Sequence, residues 1–192
     1  MATTIRFTLF SAKEIEKARQ QLIEYQDNLN EKIDLFVKKL CEKGVEIAKE
    51  KVSVHDAIDT GELLNSIDLR EGDIIKNGSQ WFIYTDCDYA KFIEFGTGVV
   101  GENSPYPTST PIEWNYASGK TIFTTIDGKT GWYYPTKDGQ VRFTEGQPSR
   151  PFMYETALEL REQILEVAKE VFGGASEWYI QLIRFIRKWK IR

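Results

Sequence analysis

Residues 86–98 read Asp86-Cys87-Asp88-Tyr89-Ala90-Lys91-Phe92-Ile93-Glu94-Phe95-Gly96-Thr97-Gly98, and the rest of the chain is best read outward from them. Asp88 has the chemistry to cap a short helical turn, because its carboxylate can accept from the free N–H groups that follow. Tyr89, Phe92 and Ile93 recur at spacings of three and four, so they share one face that needs cover. Gly96 and Gly98 bracket Thr97 and permit backbone conformations that other residues resist. The expectation is a buried aromatic turn that hands the chain from a sheet to a loop, with the glycines turning it outward.

On the N-terminal side, residues 4–10 alternate apolar and polar, as a strand with one buried face does. Ser11 and Glu14 then form a capping box, and Phe10 with Ile15 can close a hydrophobic staple. Ile15, Ala18, Leu22, Tyr25, Leu29, Ile33, Phe36, Leu40 and Ile47 keep helical spacing. Unbroken to Val52 this helix would run roughly 60 Å, and Asn28 with Glu31 repeats the capping pattern, so a break near 27–30 is expected. The stripe reads as core packing rather than a coiled coil, since consistent flanking charge pairs are missing. Asp59 and Glu62 have capping spacing for a helical turn with Leu63 and Leu64 inward. An extended stretch over 66–75, with Gly72 as a bulge or turn, an Asn77-Gly78 turn and a central aromatic strand over 80–85 lead back to the opening stretch.

On the C-terminal side, residues 99–150 hold five of the six prolines. Alternation over 120–127, Trp132-Tyr133-Tyr134, Val141-Arg142-Phe143-Thr144 and the Asp127-Gly128 and Asp138-Gly139 turns describe an extended β-arm or long loop insertion over 99–150, or a β-extension of the main sheet. Pro151 suits the first position of a helix with Phe152, Leu158, Ile164, Leu165, Ala168, Val171 and Phe172 as its apolar face, stopped by Gly173-Gly174. Residues 1–174 therefore read as one α+β domain, and 175–192 as a separate basic amphipathic helix.

Composition narrows the function classes. The length suits a real hydrophobic core. No run of about 18 apolar residues and no leader-like N-terminus is present, so an intracellular protein without membrane attachment is expected. Cys41 and Cys87 suggest no disulfide framework or Cys-x-x-Cys site, and a single histidine, His55, gives little material for zinc or a catalytic triad. The chain's net charge is −4, yet 175–192 carries five basic residues against Glu177, about +4, which leaves about −8 elsewhere.

Three features invite chemistry. Gly96-Thr-Gly98-Val-Val-Gly101 matches the dinucleotide fingerprint, but a helical turn precedes it, prolines follow it, and no β-α-β alternation surrounds it. His55 with Asp56 and Asp59 could be an acid/base or metal cluster, although a capping aspartate beside a loop histidine accounts for the same residues. Glu94 is a lone acid with no carboxylate partner near it in sequence. No catalytic residue, cofactor, metal or small-molecule substrate is therefore expected. The tail, with Trp178, Leu182, Phe185 or Ile186, and Trp189 at helical spacing among Arg184, Arg187 and other bases, could fold back on its own domain or dock on a neighbouring subunit. A membrane surface or nucleic acid is the weaker alternative, because the body is acidic.

Taken in order, Asp59-Thr-Gly61-x-Leu63-x-x-Ser66-Ile67, Tyr89-Ala90-x-Phe-Ile-Glu94-Phe-Gly96-Thr97-Gly98 and Gly146-Gln-Pro-x-x-Pro151-Phe152-Met153-x-x-x-Ala157 resemble the Hong Kong 97-type tail-component family of tailed bacteriophages. The resemblance covers roughly residues 11–172. Gly131-Trp-Tyr-Tyr-Pro135-Thr and Arg142-Phe-Thr look like the longer members carried by phages and prophages of Gram-positive bacteria. The resemblance implies helices packed on one face of a curved antiparallel sheet and a non-enzymatic subunit of the head–tail connector or tail-completion ring. It further implies a homo-oligomer in contact with other connector or tail proteins, assembled in a bacterial cytoplasm and carried in the virion. Trp114, Trp132, Tyr133, Tyr134, Arg142, Trp178, Arg184, Arg187 and Trp189 are the expected subunit contacts, since Trp, Tyr and Arg anchor interfaces.

Overall fold

The computed structural model describes residues 11–57, 61–73, 79–109, 114–117, 119–136 and 138–173. The strand expected over 4–10, the Phe10 staple, the Asp59 cap, the Asn77-Gly78 turn and the tail helix lie outside them. The fold is α+β. Helix α1 (Ala12–Val54) is followed by α2 (Glu62–Ser66), strands β1 (Asp68–Glu71) and β2 (Trp81–Tyr84), then α3 (Ala90–Phe95) and α4 (Gly98–Asn103). Strands β3 (Phe123–Thr124), β4 (Thr130–Pro135), β5 (Val141–Thr144) and β6 (Gly146–Gln147) precede α5 (Phe152–Phe172). The described strands form a two-stranded sheet, β1-β2, and an antiparallel sheet, β3-β4-β5.

The expected break in α1 does not occur: its 43 residues are one helix. Asp27, Asn28 and Asn30 lower helix propensity by only tenths of a kcal/mol each, and the segment contains no proline and one glycine, Gly44. At the start, Ser11 Oγ accepts the Glu14 N–H at 3.3 Å, half of the expected capping box. The chain folds as two compact units, each discontinuous in sequence: 1–44 with 69–83 and 159–192, and 45–68 with 84–158. The opening motif and the hairpins of the expected arm belong to the same unit.

In the first unit, Gly44 leaves space for neighbouring side chains: a Cβ there would sit 2.2 Å from Ile83 Cδ1 and 2.7 Å from Leu160 Cδ1. Trp81 Nε1 donates to Asp34 Oδ1 at 2.9 Å, and Ser79 donates to the same oxygen. The Ser79 bond, more than the Trp81 bond, holds the Asp34 carboxyl below its ordinary range. Strand β2 has one described neighbour, β1, rather than the central position expected of it. Gly72 is no positive-φ turn; a Cβ would meet Phe82 Cε2 at 2.6 Å, so it makes room for that ring.

In the second unit, Ile47, Ala48 and Val52 of α1, Leu63 and Ile67 around α2, Ile93 of α3, and Phe152 of α5 are buried. Thr156 is buried too, its hydroxyl satisfied by the Phe152 carbonyl at 2.6 Å. Leu158, expected on the apolar face of α5, is exposed. The two Thr-x-Asp-Gly turns behave alike. Thr125 N–H donates to Lys129 O and Thr136 N–H to Gln140 O, with Gly128 at φ +83° and Gly139 at +79°. Each aspartate accepts from its threonine hydroxyl, which lowers the carboxyl's pKa. Such three-residue loops with a left-handed glycine set hairpin register.

Candidate functional site

The opening stretch becomes a crossing point between two lengths of backbone. Thr97 bridges Gln147 and Gly98 bridges Gly146 in antiparallel fashion. The approach is possible only without side chains: a Cβ on Gly98 would lie 2.2 Å from Glu145 O, and one on Gly146 1.9 Å from Thr97 O. Both residues also have positive φ, +65° and +98°. Gly96 and Gly101 face the same strand, with a Cβ 3.0 Å from Gln147 O in each case. The glycines therefore do not turn the chain outward, as expected; they let it lie against residues 145–149. The space a pyrophosphate would need above the fingerprint glycines is filled by the chain's own backbone.

Two helix ends are satisfied beside this crossing. The last carbonyls of α3 receive donors from the incoming segment: Phe92 O from Gln147 Nε2 (3.1 Å), Ile93 O from Arg150 N–H (2.8 Å) and Glu94 O from Ser149 Oγ (2.6 Å). In return the buried Glu94 carboxylate accepts the Met153 N–H at 2.9 Å and the Tyr154 N–H at 3.0 Å. Glu94 is thus the N-cap side chain of α5, supplied from 59 residues earlier. Burial raises its pKa, against the lowering effect of those N–H groups and of the Tyr106 hydroxyl. Burial and the adjoining Glu94 together push the Tyr106 phenol up to about 12.

Sequence reasoning left Glu94 without a partner because its partners are backbone groups. A signal existed: Arg150-Pro151-Phe152 opens a helix with no local Ser, Thr, Asp or Asn immediately before Pro151, so a cap from elsewhere was required. The Glu155 N–H donates to the Pro151 carbonyl at 2.9 Å, which places Pro151 at the cap, one position earlier than expected. Asp88 does not cap α3; Tyr89 occupies the N-cap without a side-chain bond. Gly61, at φ +78°, holds that position in α2.

The other motif residues join the same assembly. Tyr89 Oη accepts the Leu63 N–H at 3.2 Å, and Ser66 Oγ lies 2.6 Å from Thr85 Oγ1. Ala90, Ile93, Thr97, Pro151 and Phe152 are buried, whereas Ala157 is exposed. An aromatic chain runs Phe92–Trp114–Phe95–Tyr106–Tyr154 with centroid separations of 4.9–5.8 Å. His55 Nε2 lies 3.1 Å from Glu155 Oε1 without hydrogen-bond alignment, and Asp56 is exposed. The cluster read from sequence therefore missed an acid that the described residues place beside that histidine.

Of the expected contact residues, Trp132 is buried, and Trp114 packs into the aromatic chain with its indole N–H enclosed. Trp132 is internal, because β4 turns it away from the outer face of the hairpins, and Trp114 is half-buried. Tyr133, Tyr134 and Arg142 are exposed. Trp178, Arg184, Arg187 and Trp189 lie outside the described residues, as does Asp59. Alternation and register place Phe123, Tyr133, Pro135, Val141 and Phe143 on one face of β3-β4-β5. Tyr133 makes edge contacts with Phe123 at 6.0 Å and Phe143 at 5.2 Å, and the face carries no charge. A cavity of about 180 Å³ lined by Val99, Glu102, Tyr116, Ile122 and Trp132 falls below the size of ordinary small-molecule sites.

Among the described residues no helix is long and apolar enough to cross a membrane. No protein-family model, curated protein or solved structure matches the chain.

Proposed function

We propose that this protein is a structural subunit of virion assembly in a tailed bacteriophage or prophage, forming part of the head–tail connector or tail-completion ring. The observation that supports this reading is the convergence of three motif segments, far apart in sequence, on one crossing. Leu63 and Ser66 join it through Tyr89 and Thr85, and Glu94 and Gly98 join it to residues 145–154. The residues that carry the family resemblance act there as architecture: caps, close approaches and buried anchors. A subunit ring needs such a rigid centre and a surface to offer its neighbours. The uncharged face of Phe123, Tyr133 and Val141 has the composition of an interface core.

Native mass spectrometry and electron microscopy of the purified protein, alone and mixed with phage tails and capsids, test the reading. Rings, or incorporation into either particle, are expected. Tyr133→Arg with Val141→Arg should abolish assembly while leaving the monomer's thermal transition unchanged. A protein that stays monomeric at high concentration and joins neither tails nor capsids overturns the proposal.

A further inference from the structure

The tip of the β3-β4 hairpin carries an apolar side chain that its turn does not require. Ile126 stands between Thr125 and Asp127 in the first Thr-x-Asp-Gly turn and is fully exposed. The turn is closed by the Thr125 N–H on Lys129 O and by Gly128 at φ +83°, without the Ile126 side chain. In the second turn of this type the sequence has lysine at the same place, a residue at home in water. One exposed isoleucine is unremarkable by itself. What gives this one meaning is a hole that fits it.

The hole lies at the base of the same hairpin. Val99, Tyr116, Ile122 and Trp132 line the cavity of about 180 Å³, which is half open to solvent. A cavity of about 150 Å³ holds a benzene molecule, so this one accommodates an isoleucine side chain. Strand alternation puts Trp132 and Thr130 on the side of the hairpin opposite Tyr133. Ile126 is four residues beyond Ile122, on the order of 10 Å along the hairpin. A tip points away from its own base, so a chain cannot fill its own hole.

Charge follows the same division. Glu102, on the lip of the hole, is exposed and has no ion-pair partner among the described residues. Lys129, on the tip beside Ile126, is exposed and reaches Asp127 at 3.9 Å, the far limit of an ion pair. The knob therefore carries a loosely held cation, and the hole carries an unpaired anion.

We propose that Ile126 of one copy of this chain seats in the hole beside Trp132 of a second copy, with Lys129 of the first against Glu102 of the second. Knob and hole are different sites on one chain, so the contact runs head to tail and can repeat around a ring. The inference goes beyond the virion role and shares with it only self-association, through a face other than that of Phe123, Tyr133 and Val141.

Sedimentation and native mass spectrometry of the full-length chain test it. Wild type should self-associate. Ile126→Asp should weaken association at least tenfold with an unchanged thermal transition, and Ile126→Leu should retain it. Val99→Trp, which fills the hole, should be as weak as Ile126→Asp. Mixed together, these two weak variants should form a one-to-one pair, because one supplies an open hole and the other a knob. Independently, Glu102→Lys should weaken association, and Glu102→Lys/Lys129→Glu should restore it. A wild type that stays monomeric at high concentration, a mixture that does not pair, or a charge swap that restores nothing overturns the assignment. Association that survives Ile126→Asp but is lost in Tyr133→Arg/Val141→Arg overturns this contact and leaves the virion reading standing. Wild type that passes these tests yet joins neither tails nor capsids upholds the contact and counts against the virion reading.

Discussion

The backbone crossing of residues 96–101 with 145–149 and the N-terminal stretch of α1 are opposite solutions to the same problem of unsatisfied surface. At the crossing, carbonyls of three consecutive residues and two helix N–H groups all find partners within the chain. Over residues 19–32 the helix satisfies its backbone internally and leaves its apolar stripe open. Stability at the first site rests on geometry so close that no side chain fits. At the second it rests on the helix's own hydrogen bonds, so the first site is intolerant of change and the second tolerant of it.

The largest expected effect tests the intolerance. Gly98→Val adds a β-branched side chain at positive φ, where even a Cβ would be 2.2 Å from Glu145 O. A loss of about 4 kcal/mol or more, near the whole stability of many domains, is expected in urea unfolding. A loss below about 1 kcal/mol would show that the two strands can part cheaply.

Removal of the cap comes next. Glu94→Ala leaves the Met153 and Tyr154 N–H groups without their acceptor and should cost about 2–3 kcal/mol. Its pH dependence has a definite sign. The folded-state pKa lies above the ordinary 4.5, so the folded protein holds this proton more tightly than the unfolded chain does. The contribution is full below the unfolded value and is lost as pH rises through the raised folded value. Wild-type stability, measured against Glu94→Gln, should accordingly decline with rising pH above about 4.5; a rise over that window would mean that the N–H bonds outweigh desolvation.

The smallest effect belongs to a comparison between the two ends of one helix. Ile47→Ala, at a site 3% exposed, should cost about 3 kcal/mol, whereas Tyr25→Ala should cost about 1 kcal/mol. Equal losses would erase the contrast between covered and open ends, and would be visible in the midpoints of parallel denaturant titrations.

Much of this was legible in advance. The helical spacing from Ile15 to Ile47, the Gly173 stop, the two Asp-Gly turns and the strands around Trp132 and Val141 all follow from local rules of period and turn chemistry. The length of α1 was misjudged because a capping pattern at Asn28 and Glu31 is permissive: it favours an end where one exists but cannot make one inside a helix without Pro. Trp132 was misplaced for a related reason. An aromatic residue in a proline-rich stretch reads the same whether a hairpin turns it inward or outward, and only strand register distinguishes Trp132 from Tyr133.

By itself the sequence determined most of the elements of this protein, though not helix α4 after Gly98, and the glycines and acid that its motifs carry, because propensity, period and turn type act over a few residues. Only the tertiary structure decided what residues 86–98 are for. Glu94 has meaning as a cap once α5, more than fifty residues later, brings its free N–H groups to 2.9–3.0 Å. Gly98 is required once Glu145 and Gly146 lie against it. Close approach between distant segments depends on packing, and packing leaves no trace in local spacing.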